Sequence, residues 1–200
     1  MKNLKLILPE IKFSKKINDY ETMFHAVSLN GISLEYASDA LRDNNVIATV
    51  ALSNNTWSVE FMSSRIKADK KLMLKAVKKN GAILGYLPHF AHDKVFAKAA
   101  VRENGANMQY LSGKMRNDKE IALIGISNNN YCVRFLSDEL KNDKEIAIAS
   151  LSQSENQLTW LSSDVKMLYA QGGLDNLRKA QLYDELNLLP KKVSQKGIKI

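Results

Sequence analysis

The stretch Asp69-Lys-Lys-Leu-Met-Leu-Lys-Ala-Val-Lys-Lys-Asn-Gly-Ala-Ile-Leu-Gly-Tyr-Leu recurs, with drift, from Asp19 to Lys166. With Asp69 as position 1, the other copies begin at Asp19, Asn44, Asp93, Asp118 and Asp143, at steps of 24 or 25 residues. Internal periodicity of this length marks a repeat architecture. Position 8 is always small: Ala26, Ala51, Ala76, Ala100, Gly125 and Ser150. Position 9 is always aliphatic, and position 12 is Asn in every copy but the last, where it is Ser154. Position 18 is always aromatic: Tyr36, Phe61, Tyr86, Tyr110, Phe135 and Trp160. Position 20 is Ser except at Pro88.

Each column has a local physical reading. Asp or Asn at position 1 caps a helix N-terminus through its side-chain oxygen. Apolar residues at positions 4, 5, 8 and 9 share one helical face. Asn-Gly at positions 12 and 13 suits a left-handed C-terminal cap. Positions 16, 18 and 19 form a second, shorter apolar segment, whose aromatic is expected to fill the core between copies. The Ser at position 20 opens a further turn. No run alternates with period two long enough for a strand. Each copy therefore reads as helix, tight turn, short helix and connector. One copy cannot bury its own apolar face, but stacked neighbours can. The expected fold is all-α: an α-solenoid of six helix-turn-helix repeats of about 25 residues, with terminal capping segments.

The pattern in Ala76-Val-Lys-Lys-Asn-Gly, Leu34-Glu-Tyr-Ala-Ser-Asp-Ala-Leu and Phe135-Leu-Ser-Asp-Glu-Leu-Lys-Asn-Asp-Lys-Glu-Ile resembles the short bacterial helical repeats known as domain of unknown function 4116. The resemblance covers residues 19–166. It implies an all-helical array, found in intracellular bacteria and some viruses and sometimes in injected effectors, and it brings no catalytic motif. Pro88 and the residue missing before Asp93 depart from the pattern, so the stack is expected to be least regular between the third and fourth copies.

Outward from the repeats, residues 1–18 form a basic N-terminal cap, with Leu4 to Ile11 placed against the first copy. Residues 167–200 form a capping helix after Gly172-Gly173 and a basic tail beyond Pro190. The formal net charge of +8 is concentrated in residues 1–16 and 191–200, and the stretch between them sums to zero. The single cysteine, Cys132, excludes an internal disulfide. The apolar run after Met1 is too short for a signal peptide, and no stretch approaches the roughly 20 apolar residues of a membrane helix. The expected location is cytoplasmic, in the cell of origin or in a host, with no membrane partner.

Candidate chemistry is sparse. His89 and His92 are spaced to reach one metal ion, but nothing nearby completes a ligand set. Cys132 has no histidine in an adjacent copy. There is no P-loop, dinucleotide fingerprint, H-E-x-x-H or G-x-S-x-G. The reading is a non-enzymatic module without cofactor or metal. The columns that vary are more informative. Position 14 holds Trp57 and Tyr131, aromatics the repeat does not require, and position 17 places Glu60 and Arg134 one turn on. Trp, Tyr and Arg are the usual anchors of protein interfaces. Three packed layers put the two aromatics about 25–30 Å apart. These four residues are the candidate site for a protein partner spanning one face. With the resemblance, the expected role is an effector or inhibitor of a host or defence protein. The alternative is nucleic-acid binding through lysines at the termini: Lys12, Lys15, Lys16, Lys191 and Lys192.

Overall fold

Six acidic or amide side chains, one per copy, each start a long helix. A computed structural model describes residues 16–188. The helices are α1 (Tyr20–Leu29), α2 (Asn45–Asn54), α3 (Lys70–Lys79), α4 (Lys94–Glu103), α5 (Lys119–Asn128) and α6 (Lys144–Leu151). Their caps are Asp19, Asn44, Asp69, Asp93, Asp118 and Asp143, and every one of these side chains accepts a backbone N–H of the first turn. The repeat boundaries read from sequence therefore coincide with helix starts. Among the described residues there is no strand, only an isolated bridge between Ile17 and Ala37. The expected terminal segments at Leu4 to Ile11 and 191–200 lie outside the described residues.

Each long helix is followed by a six-residue 3-10 helix, for example Gly31–Tyr36, Thr56–Phe61 and Gly105–Tyr110. The hinge between them differs from the expected left-handed cap. Asn30, Asn55, Asn80, Asn104 and Asn129 all sit in extended backbone, with φ between −144° and −154°. Among the described residues no non-glycine residue has positive φ. Asn serves two helices at once. The Asn30 N–H donates to Ala26 O at 2.9 Å, closing the long helix. Its side-chain oxygen accepts from Ile32 N at 3.2 Å, opening the short one.

The glycine after it answers to packing. A Cβ on Gly31 would lie 2.3 Å from the Ala51 carbonyl oxygen of the next copy, and one on Gly105 equally close to Gly125 O. The small residue at position 8 and the glycine at position 13 are thus two sides of one close approach between neighbouring copies.

The serine column caps a third piece. Ser38, Ser63, Ser112 and Ser137 each accept a backbone N–H of a four-residue helical turn, and Ser162 does the same for α7 (Ser163–Leu188). The Ser63, Ser137 and Ser162 backbone N–H groups also donate back to Arg42, Arg116 and Lys141 carbonyls. Pro88 has no N–H to give. There His89 Nε2 lies 3.0 Å from the Lys67 carbonyl, taking over the missing bond. A 3-10 turn, Pro88–Phe90, replaces the capped helix, and the Phe90 ring stacks on Phe96 at 4.0 Å. The irregularity expected after the third copy is confined to this connector, and α3 still packs on α4.

The copies stack in two layers, long helices against long helices and 3-10 helices against 3-10 helices. The core lies between the layers, built from residues such as Met23, Val27, Ile47, Met73, Phe96, Ile121 and Ile146. A row of ion pairs steps along the edge: Lys70 to Asp93 at 2.6 Å, Lys94 to Asp118 at 2.6 Å and Lys119 to Asp143 at 2.8 Å. Partly exposed pairs of this kind add little stability individually, but they join the cap of each copy to its neighbour. After the break at Gly172-Gly173, α7 packs on α6 and buries Leu177. No described helix is long and apolar enough to cross a membrane.

Candidate functional site

A 3-10 helix has three residues per turn, so residues three apart eclipse. Positions 13, 16 and 19 fall in one column and face the core in the first four copies, as Gly81, Leu84 and Leu87 do, whereas in the sixth copy Glu155 at position 13 is exposed. Positions 14 and 17 fall in a second column that faces away. Position 15 is covered by the long helix of its own copy: the buried Asn107 amide donates to Ala100 O at 3.0 Å. Position 18, one turn on in the same column, overhangs the end of that cover.

The aromatic column meets its expected core role only in part: Phe61, Tyr110 and Phe135 pack against the core, and no ring of the column is fully buried. Tyr86 is 37% exposed and Trp160 38%, while Tyr36, Phe61, Tyr110 and Phe135 are half-buried. One aromatic ring per copy thus runs along the edge of the 3-10 layer, each at least partly accessible. Trp57 and Tyr131, the candidate anchors at position 14, lie on the same face at 42% and 47% exposure.

The structure joins the candidates to this row. The Trp57 ring meets Tyr86 edge-on, with centroids 6.1 Å apart. The exposed Glu60 carboxylate raises the Tyr86 phenol above its ordinary value through its charge. In the fifth copy, Arg134 donates to the Tyr131 hydroxyl. Its guanidinium lies 4.8 Å from the Tyr131 ring centroid and 5.1 Å from those of Phe135 and Trp160. An arginine held among three aromatic faces is pre-oriented, and cation–π contacts of this kind are worth about 0.5–1 kcal/mol at exposed sites. One half of the row thus carries a carboxylate and the other a guanidinium, each set among aromatics.

The basic column at position 24 is part of the repeat pattern, but its role was not read from sequence. Lys67 Nζ donates to Glu60 O at 2.9 Å, Lys166 Nζ to Thr159 O at 3.1 Å, and Arg42 to Glu35 O. Each neutralises the carbonyl end of its own 3-10 helix. The signal was present as a recurrent Lys or Arg, but its target is a backbone atom that sequence does not display.

Among the lysines assigned to nucleic acid, Lys12, Lys15, Lys191 and Lys192 lie outside the described residues. Lys16 is paired with Asp39 at 2.5 Å. His89 is occupied by the Lys67 carbonyl. Cys132 is buried, and burial pushes its thiol up to about 12, far from the thiolate that nucleophilic chemistry needs.

A family model described as Domain of unknown function (DUF4116) matches residues 19–67, 47–90, 93–138 and 120–166. Each match spans two copies, and none crosses residues 91–92, where the capped turn is lost. No curated protein and no solved structure matches the chain.

Proposed function

The chain belongs to the family described as domain of unknown function 4116, and we propose from that premise that its array is a non-enzymatic protein-binding module. The partner lies along the 3-10 layer. The observation that carries this reading is the row of aromatics along the edge of the 3-10 layer, of which Trp57, Tyr86, Tyr131 and Trp160 are exposed. The buried contact between copies comes chiefly from positions 16 and 19, which leaves the outer faces of these rings open. Aromatic residues with an embedded arginine are the composition that protein interfaces favour. Trp57 and Glu60 form one anchor cluster, and Tyr131 and Arg134 the other. The family resemblance makes a host or defence protein the expected partner, bound by an effector or inhibitor. Binding of nucleic acid through the terminal lysines is the competing reading.

The experiment compares immobilised wild type with Trp57→Ala and Tyr131→Ala, capturing from one lysate with and without nuclease. The expected result is a protein retained by wild type, insensitive to nuclease and depleted at least tenfold by each variant, since a hot-spot aromatic contributes about 2 kcal/mol or more. Melting temperatures stay nearly unchanged because both side chains are exposed. Unaltered retention by both variants overturns the assignment. Retention that disappears with nuclease, or falls steeply with salt, establishes the nucleic-acid reading instead.

A further inference from the structure

The zero net charge of residues 17–190 hides a segregation along the stack. Residues 69–117 carry ten Lys and Arg against three Asp and Glu, whereas residues 19–43 carry five acids against Arg42 alone. Residues 118–166 return to excess acid, eight against five. The basic block centres on α3, on the long-helix layer, away from the aromatic row. Lys70 is tied to Asp93, and Lys79 donates to Ser53 O at 2.7 Å. Lys71, Lys75 and Lys78 are exposed and form no ion pair with another described residue. At i, i+4 and i+7 they line the outer face of α3 over about 10 Å of helix. Arg102, equally exposed, holds on α4 the position that Lys78 holds on α3.

Beside this stripe α2 and α3 open a cleft. Leu52, Leu72 and Ala76 make its floor, and Thr49, Ser53, Lys75 and Lys79 its walls, enclosing about 190 Å³. Helix α2 carries no charged side chain, so no acid there neutralises the lysines. The volume is below the roughly 300–1,000 Å³ of a small-molecule site. It is sized for an aliphatic side chain brought in by a larger ligand.

We propose that the α2–α3 cleft and the Lys71, Lys75 and Lys78 stripe dock an acidic peptide segment of a protein partner. Its carboxylates meet the lysines, and one aliphatic side chain enters the cleft. The limits of the patch favour a short acidic segment over nucleic acid. A duplex carries a phosphate charge every 1.7 Å or so, and along the stack it would run from the lysines onto the acidic residues 118–166 on one side and, past the nearly neutral second copy, onto the acidic first copy on the other. This surface belongs to the opposite layer from the aromatic row, and its test is independent of the function proposed above.

The test is fluorescence anisotropy with a labelled short peptide of Glu and Asp around a central Leu, against the full chain. Comparison probes are the same peptide with Leu replaced by Ser, and a single-stranded oligonucleotide. The peptide should bind, weaken as salt rises, and lose at least tenfold in affinity for Lys71→Glu/Lys75→Glu/Lys78→Glu. Circular dichroism of that variant should be unchanged, because all three side chains are exposed. The Ser peptide should bind several-fold more weakly. Lys114→Glu, in a short helical turn outside the patch, should leave affinity within twofold. The proposal is overturned if wild type does not bind the peptide, or if Lys114→Glu weakens it as much as the triple reversal does. It is equally overturned if the oligonucleotide binds more tightly through the same three lysines.

Discussion

Replacing Gly105 by alanine tests the close approach that sets the spacing of the copies. An added Cβ would lie 2.3 Å from Gly125 O and 2.5 Å from Asn129 O. Both are backbone atoms of the next copy, held by helix hydrogen bonds, so neither can rotate away. Relief requires the fourth and fifth copies to part by about 1 Å, given ordinary contact distances near 3.5 Å. Overpacking of this kind costs about 1–3 kcal/mol. The movement also stretches the bond from Gly105 N to Asn128 Oδ1, now 3.1 Å, for about 1 kcal/mol more. Alanine restricts the unfolded chain and returns about 0.4–1 kcal/mol. The net expectation is a loss of about 1–3.5 kcal/mol. Gly113→Ala is the control, because a Cβ there meets nothing within 4 Å. It should stabilise by about 0.5 kcal/mol. Urea titration followed by circular dichroism measures both, and a change in the slope at Gly105→Ala would show the array parting into two blocks. Equal midpoints for the two variants would refute the packing argument.

The Asp93 carboxyl is held below its ordinary value mainly by Lys70. The stability from this depression is present above the unfolded value, about 3.9, and is lost as pH falls through the lower folded value. Asp93→Asn keeps the capping oxygen but not the charge, so melting temperature should fall less steeply between roughly pH 5 and 3; a profile parallel to wild type would contradict this. His89→Ala should cost about 0.5–1 kcal/mol by freeing the Lys67 carbonyl. Adding Pro88→Ser should restore the loss by returning an N–H to that carbonyl, and an absence of rescue in urea titration would show that the bond contributes nothing.

The caps were legible because they are local chemistry: an Asp or Ser oxygen finds an N–H two or three residues on, whatever the fold. The two-layer array followed from a unit that cannot bury its own face. Position 18 was read as more deeply buried than it is, because apolar spacing over six residues does not separate a period of 3.6 from one of 3.0. In an α-turn an aromatic there stays near the buried side, but in a 3-10 turn it swings past the edge. Asn30 was misread for a related reason. Asn-Gly suits a left-handed cap, yet Gly31 answers to packing, because Ala51 O stands where its Cβ would be, a neighbour 20 residues away in the chain. Of the candidate site, the choice of Trp57 and Tyr131 needed only the variability of position 14. Their union with Tyr86, Phe135 and Trp160 needed the stacking of copies. The charge segregation was visible in the sequence and vanished in the total.

The asparagine that ends one helix and begins the next leaves no linker between them. A duplicated copy therefore inherits its internal geometry ready-made, and there is no spare residue in that corner to lengthen or trim. Indels can settle only in the connectors, and the 24-residue copy bears this out, having lost its residue in the stretch where Pro88–Phe90 replaces the capped turn. Such a chain grows or shrinks by whole units, and bending, where it occurs, falls at the joints between units and not within them.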